Sequence, residues 1–213
     1  VRLEGVFTHF ATADEADLSF SRLQLERFLR AVTAIRQAGF APICHASNSA
    51  AIIGLAEAHL DLCRMGIAMY GYAPSGEVDA AALDLQPALR LVSHITYVKE
   101  IAPGESVSYG RQFTAHKPER IATVAIGYAD GYRRAFSNKA AAEWKGRLLP
   151  AVGRVCMDQC MFLATDTDAR AGDEVTLLGR QVTAETLAGY ADTISYEILT
   201  GLSARVPRVY VHA

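Results

Sequence analysis

Apolar and polar positions in the first third of the chain come in blocks that repeat. Residues 3–10 read as a buried strand built around Gly5-Val6-Phe7-Thr8, and a polar loop follows from His9 to residue 17. Phe20, Leu23, Phe28, Leu29, Val32 and Ile35 then recur near the 3.6-residue period of a helix, which Gly39 is placed to stop. Phe40-Ala41-Pro42-Ile43-Cys44 is a second short run, trailed by a loop at 45–48 and a helical stretch at 49–59. A third run, 60–63, leads into Arg64-Met65-Gly66-Ile67. Strand, polar loop and helix in repetition are the grammar of a parallel sheet covered by helices. Three such units cannot close a barrel, but they suit the end of one. A chain that opens inside a strand, without an initiator Met, reads as the remainder of something longer.

From about Ala82 the texture changes. Short β-like runs fall at 89–98, 120–126, 148–155, 161–164, 174–178 and 206–211, parted by turns such as Pro103-Gly104, Ala129-Asp130-Gly131 and Ala171-Gly172-Asp173. One helix interrupts them, with Thr183 as its N-cap and Glu185 in its first turn. The expected division is therefore residues 1–81, α/β, and residues 82–213, a mainly antiparallel β domain.

Composition narrows the partners. The 213 residues are 51% apolar and carry a formal charge of −2, enough for one large or two modest cores. Charges are interspersed without a basic stripe, which argues against nucleic acid and membrane surfaces. No apolar run approaches the roughly 18 residues of a spanning helix. The four cysteines (Cys44, Cys63, Cys156, Cys160) form no C-x-x-C pair and read as reduced thiols of a cytoplasmic protein.

Candidate chemistry gathers where strands end. His9, His45 and Arg64 occupy equivalent registers at the ends of the three predicted strands. At His45-Ala46-Ser47-Asn48-Ser49 two readings stand: simple N-capping by Asn48 or Ser49, or an anion held by Ser49 and the free N–H groups of the helix start. If these are the last two strands of a barrel, Ser49 with the N–H groups of Gly66 and Ile67 makes a phosphate cup, since such loops commonly bind phosphate. His9, Asp14 and His45 are the nearest approach to a metal set, but no third ligand has matching spacing, so no metal is expected. In the second half, Val107-Ser108-Tyr109-Gly110 puts a phenol on a loop, where catalytic groups concentrate, although a turn aromatic is the plainer account. Cys156 reads as a buried thiol, having no histidine beside it.

Taken in order, His9-Phe10-Ala11 with Asp14, the 45–49 run, Arg64-Met65-Gly66-Ile67 with Tyr70-Gly71, Val107-Ser108-Tyr109-Gly110, Gly127-Tyr128-Ala129-Asp130-Gly131, Val155-Cys156-Met157-Asp158 and Arg205-Val206-Pro207-Arg208 resemble the alanine racemase family. Ser47 departs from the alanine more usual there. The resemblance implies a fold of the last three βα units of a (β/α)8 barrel followed by the β domain. It also implies pyridoxal 5'-phosphate as cofactor, D-alanine for peptidoglycan precursors as the product, and a homodimer whose site is shared between subunits. The lysine that carries the cofactor in the family would lie upstream of Val1, and the chain alone would then be inactive.

What the resemblance implies for single residues follows. Tyr109 would be one of two bases and the upstream lysine the other. A phenol ordinarily titrates near pH 10, so it would need help, with His9 and His45 as candidates. Arg64 would face the pyridine nitrogen; Tyr196 would join Ser49, Gly66 and Ile67 on the phosphate, with His45 also near the cofactor. Tyr128, Met157 and Asp158 would line the entry and the alanine carboxylate region. Alternatives are a related racemase of serine or broader specificity, a decarboxylase of basic amino acids, and a non-catalytic dimerising fragment.

Overall fold

The computed structural model describes residues 2–211. The chain divides into two compact units, Val1–Ala88 and Leu89–Ala213.

In the first unit, β1 (Gly5–Phe7) and β2 (Ile43–His45) pair in parallel, with Gly5 opposite Ile43 and Phe7 opposite His45. Between them runs α1 (Ser19–Gln37). It ends as expected: Gly39 adopts φ +88°, and the Phe40 N–H turns back to Ile35 O at 3.3 Å. The buried stripe of α1 is Ser21, Leu25, Phe28 and Val32, spaced by four, three and four. It packs with Phe10, Cys44, Ala46, Ala51 and Leu55 into one core. Burying each of the three large members contributes roughly 1.5–3 kcal/mol. Phe20, Leu23 and Leu29, expected on that stripe, are exposed, because the apolar arc of α1 is wider than the face it packs.

The later pieces are shorter than expected. The 49–59 stretch is α2 (Ser49–Gly54), then a break at Leu55 (φ −138°, ψ 69°) and a 3-10 turn at Ala56–Ala58. The third run supplies only a single parallel bridge, His45 to Leu62, and its helix is a 3-10 turn at Ile67–Tyr70.

The second unit is built on β3 (Leu91–Ile101), β6 (Glu119–Val124), β7 (Ala141–Trp144), β8 (Arg147–Pro150), β9 (Cys160–Leu163) and β10 (Glu174–Leu178). They form one antiparallel sheet in the order β8-β7-β10-β3-β6-β9. Just past β8, Ala151 bridges Phe162 of β9, so the two edges meet and the sheet nearly closes. Ile95, Ile121, Val124, Phe162 and Leu177 are among its fully buried side chains. A two-stranded ladder of β4 (Ser106–Val107) and β5 (Phe113–Thr114) carries the Tyr109 turn at its tip. Thr183 caps α3 (Ala184–Tyr190) by accepting from the Thr186 N–H at 3.2 Å, as its sequence suggests.

Two expectations fail here. Residues 206–211 form no strand: Pro207 offers no N–H, and Arg208 folds back onto the carbonyls of Leu202, Ser203 and Val206. The predicted 148–155 strand stops at Pro150. Unforeseen are β7 and a second helix, α4 (Ser195–Thr200).

Candidate functional site

The ends of β1 and β2 and the residues after the Leu62 bridge bring His9, His45 and Arg64 together. The Arg64 guanidinium reaches His45 Nδ1 with Nη1 at 2.6 Å. Its Nη2 lies 3.2 Å from His9 Nδ1, 3.0 Å from Thr8 O and 3.1 Å from Ala46 O. A guanidinium only donates, so both Nδ1 atoms accept, and each imidazole carries its proton on Nε2. The His45 ring stacks on Phe7 at 5.3 Å with a 5° interplanar angle, and Arg64 lies over the same Phe7 ring. The three polar groups thus form a rigid, donor-rich rim. A metal ion at the two histidines would stand against the Arg64 charge, which disfavours the His9–Asp14–His45 set. Among the described residues, no three His, Cys, Asp or Glu side chains cluster as ligands.

Beside this rim, Asn48 caps α2: its Oδ1 accepts from the Ala51 N–H at 3.0 Å. That leaves the Ser49 hydroxyl to other work. Buried, it accepts from the Gly66 N–H at 2.8 Å and the Ala68 N–H at 3.3 Å, keeping its own O–H to donate. Gly66 therefore orients Ser49 rather than pointing a free N–H outward. Ile67 is buried and its N–H finds no acceptor among the described residues. An N–H of a buried residue is rarely left so, and it lies next in sequence to Gly66, whose own N–H is on Ser49 Oγ, so that it and the Ser49 O–H are two donors available to an anion. Ser47, the departure from the family pattern, is fully buried and donates to Ala58 O at 2.8 Å, holding the turn after α2.

In the second unit, Tyr109 leaves the β4–β5 ladder at 72% relative exposure. The backbone beneath it is unusual: Ser108 sits at φ 71°, ψ 167°, Gly110 at φ 70° and Arg111 at φ 51°. The Ser108 region is essentially reserved for glycine, and such a residue costs about 1–3 kcal/mol. Its hydroxyl accepts from the Arg154 N–H at 2.7 Å and donates to Arg154 O at 3.1 Å.

Tyr128, Met157 and Asp158 also meet. The Tyr128 and Ala129 N–H groups donate to Cys156 O at 2.9 Å and Met157 O at 3.0 Å. Gly127 makes this approach possible, since a Cβ there would lie 2.2 Å from Met157 O. Asp130 accepts from the Gly127 N–H and pairs with Arg205 Nε at 3.2 Å, while Arg205 Nη2 pairs with Asp158 at 2.8 Å. The hydrogen bond to Asp158, and then the charge of Asp130, hold the Arg205 proton more tightly than usual. The Asp158 carboxylate is thus engaged by a cation and ties two loops together. Arg205 was visible in the sequence only as part of a motif, and its linking role needs the fold.

Tyr196 stands in the first turn of α4, next to Glu197. Hydrogen bonds from Arg133 and Thr193 hold the Glu197 carboxyl below its ordinary value. Cys156 is half-buried, with its Sγ directed to Arg154 O, and burial pushes the Cys160 thiol well up. No helix among the described residues is long and apolar enough to cross a membrane.

Comparison with known proteins decides the family. The model for "Alanine racemase, N-terminal domain" matches residues 1–74, and that for "Alanine racemase, C-terminal domain" matches residues 88–210. The chain belongs to the alanine racemase family. It is 49% identical over 216 residues to the alanine racemase of Symbiobacterium thermophilum, covering 99% of this chain and 57% of that protein. With the alanine racemase of Clostridium tetani the identity is 44% over 218 residues, covering 99% and 56%. The solved alanine racemase of Clostridium difficile 630 superposes with a TM-score of 0.94 at 44% identity, covering 98% of this chain and 55% of that one. The Bacillus anthracis alanine racemase with bound L-Ala-P gives 0.93 at 40% identity, covering 99% and 56%. The chain thus spans a little over half the length of its alanine racemase relatives, and its fold is that of a barrel portion followed by the family's β domain.

Proposed function

We propose that the protein racemises alanine with pyridoxal 5'-phosphate, by a two-base reaction in which Tyr109 is one base and a lysine outside residues 1–213 is the other. The observation that carries the reading is the donor-rich rim at Arg64 beside the Ser49 and Ile67 donors, in a chain of the alanine racemase family.

The residues fit that cofactor. Ser49 O–H and the unengaged N–H of the buried Ile67 suit a phosphate, with the Gly66 N–H fixing the Ser49 hydroxyl. When bound, the cofactor takes up the electron pair left behind by the departing α-proton. Arg64 would offer a hydrogen bond to the ring nitrogen, and because a guanidinium hardly gives up its proton it would not protonate that nitrogen. His45 and His9 hold the guanidinium in place through their Nδ1 atoms, and their Nε2 protons add to the positive potential there. Tyr109 Oη takes the proton from one face of the α-carbon, and the lysine returns one to the other. Tyr128 and Met157 restrict the entry to a small side chain. The Asp158 side chain braces that entry through Arg205 rather than meeting the substrate carboxylate itself. The site is completed in a homodimer, where Tyr109 serves the neighbouring subunit's cofactor, and residues 1–213 alone are inactive.

Solvent-deuterium incorporation into each isomer of alanine tests the assignment in the full-length enzyme. Tyr109→Phe is expected to stop exchange from L-alanine while sparing much of the exchange from D-alanine. Equal loss on both faces would defeat it.

A further inference from the structure

Among the described residues of this chain, no hydrogen bond or ring contact holds the Tyr109 phenol, so what the chain itself contributes to its direction comes from the backbone that carries it. That backbone begins at Ser108, in a conformation other residues avoid unless their surroundings enforce it. The enforcement is visible. One hydroxyl grips both the N–H and the carbonyl of Arg154, at 2.7 and 3.1 Å. Gly153 lies flush against it: a Cβ on Gly153 would come within 2.3 Å of the Ser108 Cβ. The Arg111 N–H closes the turn onto Ser108 O at 3.1 Å, and Gly110 packs against the Arg154 guanidinium. The gripped loop segment runs on to Met157 and Asp158, so the same hydroxyl joins the turn bearing the phenol to the segment bearing the entry.

We propose that Ser108 is a positioning residue that sets the direction of the Tyr109 phenol by clasping the backbone of Arg154; the proposal rests on the reading of Tyr109 as a base. Alanine at 108 would be strained in the same conformation but lacks the clasp that enforces it, so the turn relaxes away from it. Glycine removes the strain as well, so it folds at least as readily, yet it has no hydroxyl with which to grip. A misplacement of about 1 Å in a reacting group slows a reaction on the order of 100-fold.

Two measurements decide the matter. In the cofactor-free protein, amide hydrogen exchange over residues 106–114 is expected to quicken at least about tenfold in both Ser108→Ala and Ser108→Gly, with residues 119–124 unchanged. In the full-length holoenzyme, both variants are expected to slow solvent-deuterium exchange about 10–100-fold on the face that Tyr109→Phe silences, and less than about threefold on the other. Unchanged amide exchange, equal slowing on both faces, or a glycine variant that behaves as wild type overturns the proposal. If Tyr109→Phe slows neither face, the base assignment falls by itself, and the amide exchange still judges the clasp.

Discussion

Replacing Ser49 with alanine removes one oxygen and disturbs two functions at once. The hydroxyl accepts from Gly66 and Ala68, so the variant orphans two N–H groups at the turn after residue 65. An orphaned buried donor costs about 1–3 kcal/mol, but Gly66 is exposed and Ala68 half-buried, so water recovers part of the loss. The net expectation is about 1–2 kcal/mol of lost stability. The O–H that would reach the phosphate is a charge-assisted donor worth about 1.5–3 kcal/mol, or roughly 10–150-fold in Kd. Binding is weakened rather than abolished, because the Ile67 N–H remains. Pyridoxal phosphate titration of the cofactor-depleted full-length protein, followed by absorbance, gives Kd, and urea unfolding of the same samples gives stability. A variant that loses stability while binding the cofactor as tightly as wild type would show that Ser49 only clips the turn, and the phosphate cup would be misassigned.

Arg64→Lys replaces a planar fork with one ammonium that cannot reach both imidazoles, and should lower stability by about 1–3 kcal/mol in urea unfolding. Full retention would mean that the rim is not held through the guanidinium. Gly127→Ala drives a Cβ into the carbonyls of Cys156 and Met157, backbone that cannot yield without parting the loops. Its thermal midpoint should fall by the equivalent of about 1–3 kcal/mol, and an unchanged midpoint contradicts the close approach. The Glu197 carboxyl is held low by Arg133 and Thr193, so its contribution is complete above the ordinary carboxylate value and fades as pH falls through the lower folded value. Glu197→Gln should therefore flatten the loss of stability below about pH 4.5 seen in wild type; parallel acid limbs would refute the link.

The sequence disclosed those features that local chemistry dictates. α1 was readable from its period and Gly39, and α3 from Thr183, because caps and stops act within a few residues. His9, His45 and Arg64 drew attention because they share a register at strand ends, and the fold does bring them together. The stripe on α1 was misread at Phe20, Leu23 and Leu29, since periodicity shows that a face is apolar but not how much of it is covered. Residues 206–211 have strand composition and no neighbouring ladder, and a strand exists only through its partner. β7, Ala141-Ala142-Glu143-Trp144, has the opposite character: no β-branched residue, yet pairing on both sides. Arg205 joins Asp130 to Asp158 across long stretches of chain, and nothing local to Arg205 announces such partners.

The strand order β8-β7-β10-β3-β6-β9 dictates when the second unit can come into being. β10 lies between β7 and β3, although it is made last of the six. During synthesis, β3 waits with one side bare until Glu174–Leu178 emerges, and until then the β7–β8 hairpin meets the sheet only through the Ala151–Phe162 bridge. Truncation just ahead of residue 174 would thus leave β8-β7 and β3-β6-β9 with open borders on either side of the gap, ready to pair with strangers, rather than a shortened version of the same domain.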